Sequence, residues 1–443
     1  MRVTVVGGGL AGSECALQLA ARGIGVDLWE QRPVHRSPAH KTDGFAELVC
    51  SNSLKSTNED SAAGLLKSEL SLYGSKLLEI AYATRVAAGG ALAVDRTLFS
   101  QAVTRAIEGE PLIEVHRGEV TELPEGPAVI AAGPLCSDAL FSALCARLGD
   151  DHLAFFDAAA PIVDASTIDM SRAFRQSRYD DAAASGGDYL NCPLERDEYE
   201  AFVTELVGAE RVLSRDFESK DLFQACQPVE EVARTGFMSL AFGALKPVGL
   251  IDPRTGRRPF AVVQLRAENS SCTAYNLVGF QTNLTFGEQA RVFRMIPALA
   301  HAEFFRYGVM HRNSFVDAPR VLDRTFAIPG SDITLAGQIT GTEGYVEAIA
   351  SGLLAALNTY ARIRDLPAAV LPPTTAFGAL AAYATDLATE DYQPMHVNYG
   401  IIPPLDVHIR SKADRKRAYA SRGRDAAACF VSERTDLFAE ALS

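Results

Sequence analysis

Arg2-Val3-Thr4-Val5-Val6-Gly7-Gly8-Gly9-Leu10-Ala11-Gly12 is the stretch that decides the fold. Its β-branched opening suits a buried parallel strand, and it runs directly into a glycine turn and then a helix. Gly7, Gly9 and Gly12 fit GxGxxG: the first allows the turn, the second lets a pyrophosphate approach the backbone, and the third lets the helix pack on the strand. Gly8, Leu10 and Ala11 complete a loop whose helix N-terminus faces the phosphates. A second strand, Gly25-Val26-Asp27-Leu28-Trp29-Glu30, ends in an acid 18 residues beyond Gly12. There a carboxylate accepts from a ribose hydroxyl pair and disfavours a 2′-phosphate.

The far end of the chain separates FAD from NAD. Ile333-Thr334-Leu335-Ala336-Gly337 reads as a strand leading through Gly341 and Gly344 to a helix that starts at Tyr345. Val346, Ile349, Ala350, Leu353, Leu354 and Leu357 follow helical spacing. This second glycine-rich helix N-terminus returns to the same sheet, and its positive end stabilises negative charge on a reduced flavin ring. Glu114 to Val120, with Val120 a candidate cofactor contact, and Pro127 to Gly133 read as strands completing the sheet. No second GxGxxG occurs, so a nicotinamide domain is not expected and any NAD(P)H visits the flavin and leaves.

The expected fold is α/β: an open, mostly parallel Rossmann-type sheet with helices on both faces, interrupted by an α+β substrate domain. Residues 1–95 read as the first part of the FAD domain. Residues 96–320 are mainly insertion, with strands near 114–133 returning to the FAD sheet, and 321–443 supply the second part with a basic C-terminal segment. At 443 residues, 48% hydrophobic and 22% charged, the chain has ample material for two cores.

A net charge of −13 argues against nucleic-acid binding through overall charge, though not through a local patch. Such a patch is available in Arg410, Lys412, Arg415, Lys416, Arg417, Arg422 and Arg424. A solvated helix face reads those cations equally well. The turn with Arg254, Arg257 and Arg258 offers a lesser one. Eight scattered cysteines without a CxxC signal neither a metal site nor a disulfide framework, so no metal and a reducing cytoplasm are expected. The start does not read as a signal peptide, and the uncharged run Leu366 to Thr385 is broken by prolines, so no membrane span is expected.

Two cysteines stand out by context. Cys50 ends the run Phe45-Ala46-Glu47-Leu48-Val49-Cys50-Ser51-Asn52-Ser53, and Cys226 lies in Phe223-Gln224-Ala225-Cys226-Gln227-Pro228. Each is readable as a small buried hydrophobe or as a functional thiol, which needs an exposed, pKa-lowering site.

VVGGGLAGSE, TDGFAELVCSNSL, KPVGLIDPRTGRRP, NLVGFQTNLTFGEQARVFRMIP and AGQITGTEGYVEA together resemble the TrmFO family, as do VMHRN and VNYGIIPPL. The resemblance covers essentially the whole chain. It implies a flavoprotein of the GidA and glutathione-reductase type that makes 5-methyluridine at position 54 of the tRNA T-loop. The one-carbon unit would come from 5,10-methylenetetrahydrofolate and the reducing equivalents from NAD(P)H through FAD. C5 of uracil is a poor nucleophile until a thiolate adds at C6, and the resemblance assigns that role to Cys226. Cys50, in the CSNS segment, becomes the second thiol, which removes the C5 proton or protects the flavin adduct. Pulling the base from the T-loop costs energy that phosphate contacts offset.

Related flavoenzymes that modify the tRNA wobble uridine are the nearest alternative. They look longer, with a helical C-terminal domain for which there is no room here. A thiol-disulfide flavoenzyme would need a closely spaced cysteine pair. A non-catalytic, flavin-stabilised tRNA-binding protein is the remaining reading.

Overall fold

Val3, Val5, Val26 and Leu28 have no accessible surface, because the strands that carry them lie in the middle of a sheet covered on both faces. In the computed structural model the described residues are 1–37, 39–149, 153–158, 160–178, 187–212, 227–308, 310–389 and 392–438. The first sheet contains β1 (Arg2–Val6), β2 (Gly25–Glu30), β3 (Ile113–Arg117), β4 (Ala128–Ile130) and β11 (Ile333–Leu335). All are parallel, in the order β11-β4-β1-β2-β3, with Val5 opposite both Leu28 and Val129. Sheet order reverses at β1, so a crevice opens beyond the carboxyl ends of β1 and β4, where α/β sheets bind ligands.

The strands expected at Glu114 to Val120 and Pro127 to Gly133 are shorter than read, β3 stopping at Arg117 and β4 at Ile130. The Gly118 amide still bonds the Glu30 carbonyl at 3.0 Å, but beyond it the chain leaves the sheet, which puts Val120 in a loop at the crevice.

Helices α1 (Leu10–Ala21) and α4 (Tyr345–Ile363) pack side by side on this sheet, α1 against β1, β2 and β3 and α4 against β4 and β11, and both are buried along most of their length. Two glycines make that possible. A side chain on Gly12 would overlap the Gly7 carbonyl, and one on Gly352 would overlap the backbone of Ala11. Helix α2 (Ala62–Leu72), N-capped by Ser61, and α3 (Arg96–Glu108), N-capped by Asp95, join the same apolar core.

The second sheet is antiparallel: β5 (Ile162–Asp164), β6 (Phe174–Arg175), β7 (Tyr189–Leu194), β8 (Ala261–Ala267), β9 (Ala274–Leu277) and β10 (Phe304–Arg306). Its order is β6-β7-β8-β9-β5-β10, and it has an apolar core of its own. A separate antiparallel pair joins Leu153–Ala158 to Met310–Phe315. The uncharged run near residue 380 forms the buried helix Ala376–Ala384, and no helix among the described residues is long and apolar enough to cross a membrane.

Candidate cofactor cleft and thiol site

A cleft of about 960 Å³ occupies the crevice at the ends of β1 and β4. Gly7, Gly8, Gly9, Leu10 and Ala11 form its floor, Glu30 and Val120 one end, and Gly337 and Tyr345 the other. The remaining residues singled out in the sequence stand back from it. Gly12 packs on Gly7, Gly341 lies against the Tyr392 ring, and Gly344 lies against Glu347 and Lys55.

The cleft fits a dinucleotide on two observations. No side chain caps α1 or α4 at Gly9 and Gly344, so both helix starts leave amide donors for another acceptor. In addition, a side chain on Gly9, which lines the cleft, would meet no atom within 4 Å, so the space in front of the loop is open to a ligand.

Glu30 is more engaged than its expected ribose role required. One carboxylate oxygen accepts from the Gly8 amide at 2.9 Å, and the other accepts from the backbone and Nε of Arg32 at 3.0 and 2.8 Å. Burial pushes its pKa up, but the bonds from Arg32 and Gly8 outweigh burial and hold it below the ordinary value. A carboxylate has about four lone-pair sites, so acceptor capacity remains for a ribose. Arg32 also bonds Glu47 at 3.0 Å, tying β2 to the loop that leads to Cys50. Sequence reading missed Arg32, and it also missed His40, Glu47 and Cys136 on the cleft wall.

Cys50 is half-buried beside Val49, which lines the cleft. Its loop is fixed from three sides. The hydroxyl of Tyr345 accepts from the amides of Cys50 and Ser51. Arg96 donates to the Leu48 carbonyl at 2.6 Å and the Cys50 carbonyl at 3.4 Å while pairing with Glu268. Asn52, fully buried, donates to the carbonyls of Val94 and Ala267 and accepts from Arg266 at 2.8 Å, which joins the loop to the second sheet. These clamps link residues up to 295 positions apart, a relation that spacing does not reveal.

Cys136 also lines the cleft, but burial pushes its thiol up to about 12; Cys192 is likewise raised to about 12, which leaves both as neutral thiols at physiological pH. Cys226 lies outside the described residues, so its distance from Cys50 is not part of this geometry.

The seven C-terminal cations divide in two on α5 (Lys412–Glu433) and the segment before it. Arg422 donates to the Pro403 and Pro404 carbonyls, Arg424 to the Glu59 carbonyl, and Arg417 pairs with Asp414 and Asp60. Arg410, Lys412, Arg415 and Lys416 are exposed and have no carboxylate partner among the described residues. Arg254 is taken up by Asp252 and the Ser171 carbonyl, whereas Arg257 and Arg258 in the same turn are exposed.

Parallel sheet, uncapped helix starts and glycine cradle define a dinucleotide-binding protein of the Rossmann class. The sequence profile of the family described as Glucose inhibited division protein A matches residues 2–367. Aquifex aeolicus GidA has the same fold, with a TM-score of 0.70 at 15% identity over 99% of this chain and 76% of that one. Relatives named methylenetetrahydrofolate--tRNA-(uracil-5-)-methyltransferase TrmFO are far more similar. The protein from Geobacter sulfurreducens is 56% identical over 95% of this chain and 96% of its own length, and that from Listeria monocytogenes is 48% identical over 96% and 97%. The chain belongs to the TrmFO family.

Proposed function

We propose that this protein methylates C5 of uridine 54 in the tRNA T-loop, with 5,10-methylenetetrahydrofolate as one-carbon donor and NAD(P)H as reductant. The observation that carries the reading is a half-buried thiol, Cys50, held by Tyr345 at the edge of a cleft shaped for a dinucleotide. The names of relatives 48 to 56% identical over at least 95% of the chain support the same reaction.

FAD, when bound, supplies the hydride that turns the transferred methylene into a methyl group. Gly7, Gly8, Gly9, Leu10 and Ala11 would hold its diphosphate, Glu30 its ribose, and Gly337 and Tyr345 the side of the flavin ring, with Gly12, Gly341 and Gly344 shaping the turns behind them; Val120 would flank the nucleoside end. Cys226 adds to C6 of the uracil so that C5 becomes nucleophilic, and its thiolate departs when the C5 proton is lost. Cys50 accepts that proton or guards the reduced cofactor, and the clamps from Tyr345 and Arg96 keep it in place. The exposed cations of α5 offset the cost of extracting the base. Two sheets with separate cores support an FAD domain interrupted by an inserted one; residues 99–144 and 315–318 pack in the first core, so the inserted core spans 163–302 within the expected 96–320.

The test is a methylation assay on unmodified tRNA transcript with FAD-loaded protein, NAD(P)H and methylenetetrahydrofolate labelled in the methylene carbon. Label in 5-methyluridine of the T-loop is the expected result, and its loss in Cys226→Ala assigns the nucleophile. Flavin that is reduced while the RNA stays unlabelled would overturn the reading.

A further inference from the structure

On the other side of the Cys50 loop lies a second recess, of about 1190 Å³, between residues 41–48, α3, β5 and β10. Lys41, Arg96, Arg105 and Arg306 line it, and Glu47 is its one acid among the described residues. In a chain of net charge −13 such a concentration of cations needs an explanation.

The local acids do not supply one. Glu47 turns its carboxylate into its own loop, accepting from the amides of Lys41 and Thr42 and from Arg32. Glu268 pairs with Arg96, while Lys41 and Arg105 are exposed with no carboxylate partner among the described residues. Arg306 is half-buried, and its Nη2 has no accessible surface to speak of and no hydrogen-bond partner. A buried guanidinium nitrogen without an acceptor is costly. Burial and the charge of Arg96 both hold the Arg306 pKa below its ordinary value, so an anion here would relieve two penalties at once.

The recess adjoins the cofactor cleft, since Glu47 lines both, and Arg96 reaches from it to the Cys50 carbonyl. We propose that this recess is the anion site for the acidic tail of a small co-substrate that works at the flavin. The shared chemistry is a flexible chain ending in anionic oxygens, from the glutamyl carboxylates of a folate or the diphosphate of a nicotinamide nucleotide. The inference rests on the methyltransferase reading for the identity of these co-substrates. Folded RNA is the poorer occupant: its phosphates follow an exposed backbone, whereas half-buried Arg96 and Arg306 are approached by a thin tail. Helix α5 already offers unpaired cations on an open surface.

Lys41 and Arg105 are exposed, so Lys41→Ala with Arg105→Ala tests the site without emptying its half-buried part. On the FAD-loaded protein, flavin absorbance gives the Kd of mono- and triglutamyl tetrahydrofolate. Anaerobic flavin reduction gives the KM for NADPH, and filter binding the affinity for tRNA transcript. A folate source predicts about tenfold weaker triglutamyl binding, with a smaller effect on the monoglutamate. A nicotinamide source predicts about the same rise in KM with folate unaffected. Lys41→Arg with Arg105→Lys restores either. Unchanged affinity for both co-substrates, or a loss confined to tRNA, overturns the proposal. The binding readouts do not need turnover, so a wild-type protein that binds through these residues yet methylates no tRNA sinks the methyltransferase reading and leaves the recess standing.

Discussion

The hydroxyl of Tyr345, at the start of α4, accepts from the backbone amides of both Cys50, at 2.8 Å, and Ser51, at 3.2 Å. One side chain therefore lines the cofactor cleft and holds the thiol loop against it. Tyr345→Phe keeps the ring and leaves two amides without their acceptor, at a cost of about 1–3 kcal/mol for each one left buried. The expected outcome is retained FAD, faster alkylation of Cys50 and kcat for methylation lowered about tenfold with KM for folate little changed. Alkylation and turnover at wild-type rates would remove Tyr345 from this positioning role.

The open space in front of Gly9 separates a ligand-facing glycine from a packing one. Gly9→Ala meets no protein atom, so the fold survives with a loss of no more than about 1 kcal/mol at the helix cap, while the added methyl stands where a pyrophosphate approaches. We expect a protein with near-normal thermal unfolding whose affinity for FAD falls at least ~10-fold, by flavin fluorescence on dilution. Full FAD content in this variant would mean that the diphosphate lies elsewhere.

Of the seven C-terminal cations, only those without internal partners should be felt by RNA. Lys412→Ala with Lys416→Ala removes two such charges and lowers the slope of log K against log salt by about 1.4–1.8. Arg422→Ala, which loses bonds to Pro403 and Pro404, should lower thermal stability instead. If the salt slope is the same in the lysine variant and the wild type, α5 is not a phosphate-facing surface.

Glu69 is fully buried at the start of the helix Ala376–Ala384, accepting from the amides of Ala376 at 2.6 Å and Phe377 at 3.2 Å. Burial outweighs those two bonds and raises its pKa to about 8. The folded chain thus keeps a proton that the unfolded chain, at about 4.3, gives up. Its contribution is present below the unfolded value and is lost as pH rises to about 8. Glu69→Gln does not titrate, so its melting temperature should gain on the wild type between pH 5 and pH 8, by the equivalent of at least ~1 kcal/mol. A difference constant across that range would refute the buried, protonated acid.

The phosphate loop was legible because its requirements are local. A β-branched strand, three glycines at fixed spacing and an acid at the end of the next strand can be read in order, and β1, α1 and β2 formed where they were expected. The reading of Glu30 was incomplete for the opposite reason: its partner Arg32 is close in sequence, but only the bend after β2 turns the guanidinium back onto the carboxylate. Gly341 and Gly344 belong to the right turn yet face Tyr392 and Glu347, because a glycine pattern marks backbone freedom and not the direction of a ligand.

The sequence by itself determined the dinucleotide sheet, the flavin-type return of α4 and the candidate thiols, since periodicity, glycine spacing and residue chemistry are properties of short stretches. Only the tertiary structure decided which groups act together. Tyr345 with Cys50, Asn52 with Arg266, and Arg96 with Glu268 lie 295, 214 and 172 residues apart, and they meet because two separately built cores press one loop between them. It also divided the cations, since whether an arginine is spent on a carbonyl or left for a ligand depends on what the folded chain places beside it.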